Sequence, residues 1–159
     1  GFLYAGLMIK PDGTLKVLEF NCRLGDPETQ PIMLRLKSDL VDLIDAAIDG
    51  RLDEVEAEWD RRVALGVVLA AAGYPEEPRK GDIILGLSKD DEDSHVFHAG
   101  TMQQDSHVVT AGGRVLCVTA LGDNIRAAQK RAYEIVETIR FDGMQLRHDI
   151  GHHALQRKV

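Results

Sequence analysis

The sequence has few of the features that would assign a function quickly. It contains two cysteines, Cys22 and Cys117, so no disulfide framework is implied. Both lie in apolar strand-like runs and read as free buried thiols in a reducing cytoplasm. Positive charge is in deficit: 19 Lys and Arg against 26 Asp and Glu give a formal net charge of −7. Nucleic acid and anionic membranes are bound by clustered Lys and Arg, so neither is an expected partner. A local cationic pocket for a small phosphorylated ligand stays compatible with that charge. No apolar run is long enough to span a bilayer and no charged-then-apolar leader is present, so neither a transmembrane helix nor a signal peptide is expected. The glycine fingerprints of nucleotide-binding loops are missing, as is the G-x-S-x-G setting of a nucleophilic serine. Internal repeats and low-complexity tracts are absent too. The chain opens on Gly1-Phe2-Leu3-Tyr4 without an initiating Met, inside a strand-like pattern, as expected of a piece of something longer.

What is present is an ordinary globular composition, 44% hydrophobic and 28% charged over 159 residues. That length allows one domain or two small ones. Its most informative stretch is Val17-Leu18-Glu19-Phe20-Asn21-Cys22-Arg23, followed by Leu24-Gly25-Asp26-Pro27-Glu28-Thr29-Gln30-Pro31. Alternation along a strand puts Glu19, Asn21 and Arg23 on one face and Leu18, Phe20 and Cys22 on the other. Glu19 and Asn21 are hard oxygen donors of the kind that suits Mg²⁺, whose other positions are commonly filled by water and phosphate. Arg23 could hold a phosphate or carboxylate by two-point contact. A bare Glu-x-Asn is also what a half-exposed strand with a wet charged face looks like, and the pattern alone leaves both readings open.

Phe2 to Ile9 and Thr14 to Cys22 read as a hairpin closed by Lys10-Pro11-Asp12-Gly13. Asp26-Pro27-Glu28 has the grammar of a helix start, with Asp26 as N-cap and Pro27 first in the helix, which predicts a helix from Glu28 to Leu36. A second helix is expected from Ser38, with Leu40, Val41, Ile44, Ala47 and Ile48 on one face and Gly50 at its end. Asp53 to Asp60 carries five carboxylates in eight residues and reads as a solvated connector. From Val63 to Ala72 the chain is nearly uncharged, which places a domain boundary near Arg61: residues 1–61 and 62–159. Strands are expected at Ile83 to Leu87, His95 to Ala99, His107 to Ala111 and Arg114 to Leu121, the last two joined by a turn at Gly112-Gly113. Asp123 is expected to cap a helix from Asn124 to Arg140. The second unit is thus α+β, an antiparallel sheet covered by a long helix.

His95 and His98 point to opposite faces of a strand, so they cannot easily share a metal. His148 and His152 lack a third ligand, so the histidines do not make a zinc site. Arg114 follows a Gly-Gly pair that is first of all a turn, and the pattern leaves open whether it faces solvent or a ligand.

The stretch from Val17 to Arg23 with Gly25-Asp26-Pro27-Glu28-Thr29-Gln30 closely resembles the metal-binding end of the ATP-grasp ligases, and in its wording the phosphoribosylamine–glycine ligase (glycinamide ribonucleotide synthetase) family. Gly1 to Met8, Leu65-Gly66-Val67-Val68, Val96 to Thr101, Gly112 to Ala120 and Gln129 to Tyr133 resemble the C-terminal portion of the same family, so the likeness covers nearly the whole chain. It implies the C-terminal part of an ATP-grasp domain, a β-hairpin plus helices, followed by a small antiparallel-sheet domain with a covering helix. The implied reaction joins glycine to 5-phosphoribosylamine with ATP, giving glycinamide ribonucleotide, ADP and phosphate in de novo purine synthesis. By motif position Glu19 and Asn21 become ligands of Mg²⁺ or Mn²⁺, and Arg23 a stabiliser of the phosphate or acyl phosphate. Gly25, Asp26, Pro27 and Arg114 become substrate contacts. The setting would be the cytoplasm, with small-molecule partners, and the intact protein can be a monomer.

Two departures matter. Phe2 to Ile9 holds no Asp or Glu to complete a metal shell. The family's glycine-rich lid, nucleotide-binding lysines and N-terminal domain are not in these residues, so the piece alone is expected to be inactive. The competing expectations are another ATP-grasp carboxylate–amine ligase, which would share Glu-x-Asn, and a non-catalytic binding or scaffold domain that retains the fold.

Overall fold

The computed structural model describes residues 1–89 and 91–156. Its core is built on two strands, β3 (Val63–Ala70) and β7 (Arg114–Gly122), which pair antiparallel along their whole length. β4 (Ser94–His98) flanks β7 and the two-residue β8 (Gln145–Leu146) flanks β3, giving the order β4-β7-β3-β8. One face of this sheet carries Leu65, Val67, Leu69, Leu116, Val118 and Ala120, packed with Ala128 and Ala132 of helix α3 (Ile125–Val136). The opposite face, at Gly66, Cys117 and Thr119, is approached by Pro31 of helix α1 (Thr29–Arg35). A sheet covered on both sides must be apolar on both sides, which is why Val63 to Ala72 and Val115 to Leu121 read as continuous rather than alternating runs. The α+β reading with a covering helix therefore holds.

Several expected boundaries shift for identifiable reasons. α3 is capped by Asn124, whose side chain accepts from the Ala127 N–H at 3.0 Å, rather than by Asp123. The helix ends at Val136 because the Thr138 hydroxyl turns back to the Ile135 carbonyl at 2.8 Å while Ile139 drops into the core. Ile83 to Leu87 is not a strand. Its hydrogen bonds are split between two neighbours, Ile84 N–H to the Val108 carbonyl and Leu85 N–H to the Arg140 carbonyl, both 2.8 Å. Gly112-Gly113 is not a hairpin turn: β5 (Thr101–Gln104) and β6 (His107–Thr110) form their own ribbon, and the glycines carry the chain from it into the main sheet. A short helix α4 (His152–Gln156) follows.

The N-terminal hairpin, β1 (Tyr4–Ile9) and β2 (Leu15–Asn21), is a separate two-stranded sheet. Leu18 is 65% and Phe20 62% exposed, and Cys22 is exposed as well, contrary to the expected buried thiol. Two strands cannot bury a face against themselves, so the apolar side predicted by alternation exists but is uncovered among the described residues. The same holds for α2 (Leu40–Ile48), capped by Asp39, whose Val41, Ile44 and Ile48 are exposed while Ala46 is the buried residue.

An ionic clamp ties α1 to the sheet. Arg35 donates to the Asp60 carbonyl at 3.1 and 2.9 Å. The Asp60 carboxylate is held by Arg62 at 2.8 Å, and Arg62 also reaches Asp93 at the head of β4, which Arg131 of α3 meets at 2.7 Å. The Arg62 hydrogen bonds hold the Asp60 carboxyl far below its usual range and lower Asp93 too. A depressed carboxylate contributes stability that is present above the ordinary pKa of about 4 and is lost as pH falls through the folded value. Urea denaturation followed by circular dichroism should therefore show the wild type losing more stability than Arg62→Ala between about pH 6 and about pH 3. Equal losses in the two proteins would remove the clamp from the account of acid stability.

Candidate active site

β2 delivers the first two site residues. Its register with β1 sets Asn21 opposite Tyr4 and Glu19 opposite Gly6, so that one face presents Tyr4, Glu19 and Asn21 with no side chain at Gly6 between them. The Glu19 carboxylate makes no hydrogen bond or ion pair among the described residues. The Asn21 amide nitrogen is buried and has no partner among the described residues, a sign that this side chain is placed for something other than the fold.

Just past the strand the chain folds down on Gly25, which is buried beneath Tyr4 and Glu28. A Cβ at Gly25 would stand 2.3 Å from Glu28 Oε2 and 2.8 Å from the Tyr4 ring, so any side chain there would displace the Glu28 carboxylate and press on the Tyr4 ring. The Tyr4 hydroxyl donates to Glu28 Oε1 at 3.4 Å, and its pKa is raised chiefly by the Glu28 carboxylate, with Glu19 adding to the shift and Arg23 opposing it. These influences locate Glu19, Arg23 and Glu28 around one phenol. Tyr4 and Glu28 are the residues that reading the sequence missed. The signal was hidden in the hairpin register, which has a bulge between Gly6 and Leu7 that no alternation pattern encodes.

The expected cap and first helical position at Asp26 and Pro27 are corrected. α1 begins at Thr29, whose N–H and hydroxyl both donate to the Gly25 carbonyl, at 2.9 and 2.5 Å. Asp26 is committed elsewhere: its carboxylate pairs with Arg114 Nη2 at 2.9 Å, and its carbonyl accepts from Nη1 at 3.2 Å. A contact spanning 88 residues thus joins the loop after β2 to the start of β7. Both side chains are roughly half exposed, so the pair adds only about 0–1 kcal/mol. What it fixes is position. The seven residues singled out in the sequence lie along one path: Glu19 and Asn21 on β2, Arg23, Gly25, Asp26 and Pro27 in the loop, and Arg114 bonded to that loop. Arg23 itself is exposed, and its Nη1 bonds the Leu24 carbonyl at 3.0 Å.

The donor set fits a hard divalent cation in part. One carboxylate and one amide oxygen on alternate residues are present, while among the described residues no group of three or more His, Cys, Asp and Glu side chains could hold a metal. Such a pair needs anionic oxygen from a ligand to complete a shell, the usual arrangement for Mg²⁺ beside phosphates. The histidines form no metal site among the described residues either.

Beside Pro27 a cleft of about 390 Å³ runs between the loop and the main sheet, with Val68, Tyr74, Arg114, Leu146 and Arg147 among its walls. Larger hollows, of about 780 and 720 Å³, lie along residues 56–62 and on the apolar side of α2, away from these groups.

Residues 64–153 match the family described as "Phosphoribosylglycinamide synthetase, C domain", and residues 1–29 match its "ATP-grasp (A) domain". The chain is 64% identical over 157 residues to a phosphoribosylamine–glycine ligase of Ralstonia nicotianae, covering 99% of this chain and 37% of that protein. It is 60% identical over 160 residues to the ligase of the same name from Escherichia coli O157:H7, with the same coverage. A crystal structure of phosphoribosylamine–glycine ligase from Thermotoga maritima matches 94% of this chain and 37% of its own, with a TM-score of 0.73 at 39% identity. The chain therefore spans just over a third of the length of these relatives.

Replacing Gly25 tests the local packing. Gly25→Ala is expected to push the Glu28 carboxylate away from the Tyr4 hydroxyl at a cost of no more than about 1 kcal/mol in urea denaturation, and to bring the Tyr4 titration, followed by NMR, back toward that of an ordinary tyrosine. An unchanged Tyr4 titration would mean that the Tyr4–Glu28 contact does not depend on the bare backbone at Gly25.

Proposed function

We propose, from the premise that the chain belongs to the phosphoribosylglycinamide synthetase family, that it is the C-terminal part of a cytoplasmic ligase joining glycine to 5-phosphoribosylamine at the expense of ATP. The geometry that supports this reading is the partnerless pair Glu19 and Asn21, set on one face of β2 beside a loop anchored to Arg114. In the reaction, the glycine carboxylate attacks the γ-phosphorus of ATP and ADP leaves. The amine of phosphoribosylamine then attacks the acyl carbon, phosphate leaves, and the nitrogen gives up a proton. The work asked of the protein is to hold reactants in line and offset charge more than to move protons.

Glu19 Oε and Asn21 Oδ1 would hold Mg²⁺ or Mn²⁺, which when bound neutralises charge on the ATP phosphates. Arg23, exposed at the end of β2, can meet the transferred phosphoryl group or the acyl phosphate. Gly25 lets the loop approach closely. The Asp26 carboxylate can accept from an amino group while Arg114 keeps it in position, and Pro27 forms the edge of the adjoining cleft.

We assign residues 1–61 to the ATP-grasp part and 62–159 to the C-terminal α+β domain. The remainder of the longer protein is taken to supply the nucleotide pocket and to cover the exposed apolar faces of the hairpin and α2. A scaffold role is the weaker reading, because a scaffold has no need of a buried, partnerless Asn21 amide beside an unpaired carboxylate.

In the full-length protein, Glu19→Gln and Asn21→Ala should each lower kcat/KM by about 100-fold or more and raise the Mg²⁺ concentration needed for half-maximal ADP release. Wild-type rate and Mg²⁺ dependence in both would refute the metal assignment. Residues 1–159 alone should release no ADP in the presence of glycine and phosphoribosylamine. Turnover by that piece would show that the ATP site is complete within it.

A further inference from the structure

The cleft beside Pro27 is lined by positive charge alone, as is the hollow of about 260 Å³ bounded by Arg35, Arg61 and Arg62, but only the Pro27 cleft lies against the loop that carries Asp26. On a chain of net charge −7, its charged lining residues are two arginines, Arg114 and Arg147. Their carboxylate partners, Asp26 and Asp149, are not among the lining residues. Each guanidinium is held by only part of its donor set. Arg147 gives Nε to Asp149 Oδ1 at 3.0 Å and Nη2 to Oδ2 at 2.9 Å, leaving Nη1 unengaged among the described residues. Arg114 uses Nη1 and Nη2 on Asp26, leaving Nε. A guanidinium has five N–H donors in a fixed fork, so a carboxylate on one edge orients it and leaves donors for a ligand on the other.

The remaining walls suit a compact, hydroxylated ligand. Val68, Leu146 and Ile150 are apolar, and Tyr74 and Gln145 add polar tips that form no hydrogen bond among the described residues. Tyr74 is seated by its neighbour: a Cβ at Gly113 would lie 2.5 Å from the ring, so the Gly-Gly pair before β7 makes room for it. A volume of about 390 Å³ is at the small end of ligand sites and too roomy for glycine alone. At its Pro27 edge the cleft adjoins Asp26.

We infer that this cleft binds the sugar phosphate of the amine substrate, with Arg147 contacting the phosphate, Arg114 and Tyr74 the pentose, and the amine directed toward Asp26. The inference rests on the ligase reading for the identity of the substrate. The unused donors carry the rest: two guanidiniums, each oriented by a carboxylate on one edge, at a small, partly apolar cleft suit a phosphorylated sugar better than the zwitterion glycine. ATP phosphates would instead lie at Glu19 and Asn21.

The test uses the full-length protein and two variants, Arg147→Gln and Arg147→Lys. Loss of a charge-assisted contact of about 1.5–3 kcal/mol corresponds to about a 10- to 100-fold rise in KM for phosphoribosylamine. That rise is expected in Arg147→Gln, with a smaller one in Arg147→Lys, while KM for glycine and for ATP stays within about twofold. Titration calorimetry with ribose 5-phosphate, a stable probe, should show binding to the wild type that Arg147→Gln loses, and no binding of unphosphorylated ribose. An unchanged phosphoribosylamine KM in an active Arg147→Gln ligase would overturn the assignment and leave the ligase reading standing. Ribose 5-phosphate binding that depends on Arg147, in a wild-type protein with no ligase turnover, would overturn the ligase reading and leave the cleft assignment standing.

Discussion

The pairing of β3 with β7, buried on both faces, is the constraint on which the rest depends. Helices can cover both sides only if neither strand carries a charge in its interior, and from Val63 to Ala70 and from Val115 to Gly122 neither does. Two-sided burial gives α1 a place to dock, because Gly66 leaves room for Pro31 against Cys117 and Thr119. Once α1 is docked, the loop that precedes it cannot wander far from the sheet. The candidate site is therefore positioned by packing some distance away from it.

Charge refines what packing begins. The clamp of Arg35, Asp60, Arg62, Asp93 and Arg131 fixes the far end of α1, while Asp26 and Arg114 fix the loop before it. The half-exposed Asp26–Arg114 pair is not a large source of stability. The clamp and the pair both limit orientation, holding the loop that carries Gly25, Asp26 and Pro27 in a fixed place against the sheet. Arg114 does a second thing: with Arg147 it brings unused guanidinium donors to the cleft beside Pro27.

The hairpin shows the opposite condition. Its strands pair well, yet Leu18, Phe20, Leu7 and Ile9 stay exposed, since two strands have no layer of their own to pack on. Uncovered apolar residues grouped on one element are a common mark of an interaction surface. This agrees with a chain that spans just over a third of the length of its relatives.

Much was legible in the sequence because it was local. Alternation placed Glu19 and Asn21 on one face, the turn residues gave the hairpin, the uncharged run gave β3, and the wording from Gly25 to Gln30 pointed to the family. Two of the misreadings were competitions between local and distant partners. Asp26 has the chemistry of a helix cap, but Arg114 takes its carboxylate and Thr29 closes the turn in its stead. Gly112-Gly113 has the form of a hairpin turn, but β7 finds better partners in β3 and β4. Sequence by itself thus determined which side chains could act and on which strand face they stood. The tertiary structure alone decided that Tyr4 and Glu28 enclose Gly25, that Arg114 reaches Asp26, and that Arg147 completes a cleft with it. Those contacts join residues tens of positions apart, and their partners are chosen by the packing of the sheet rather than by any neighbour in the chain.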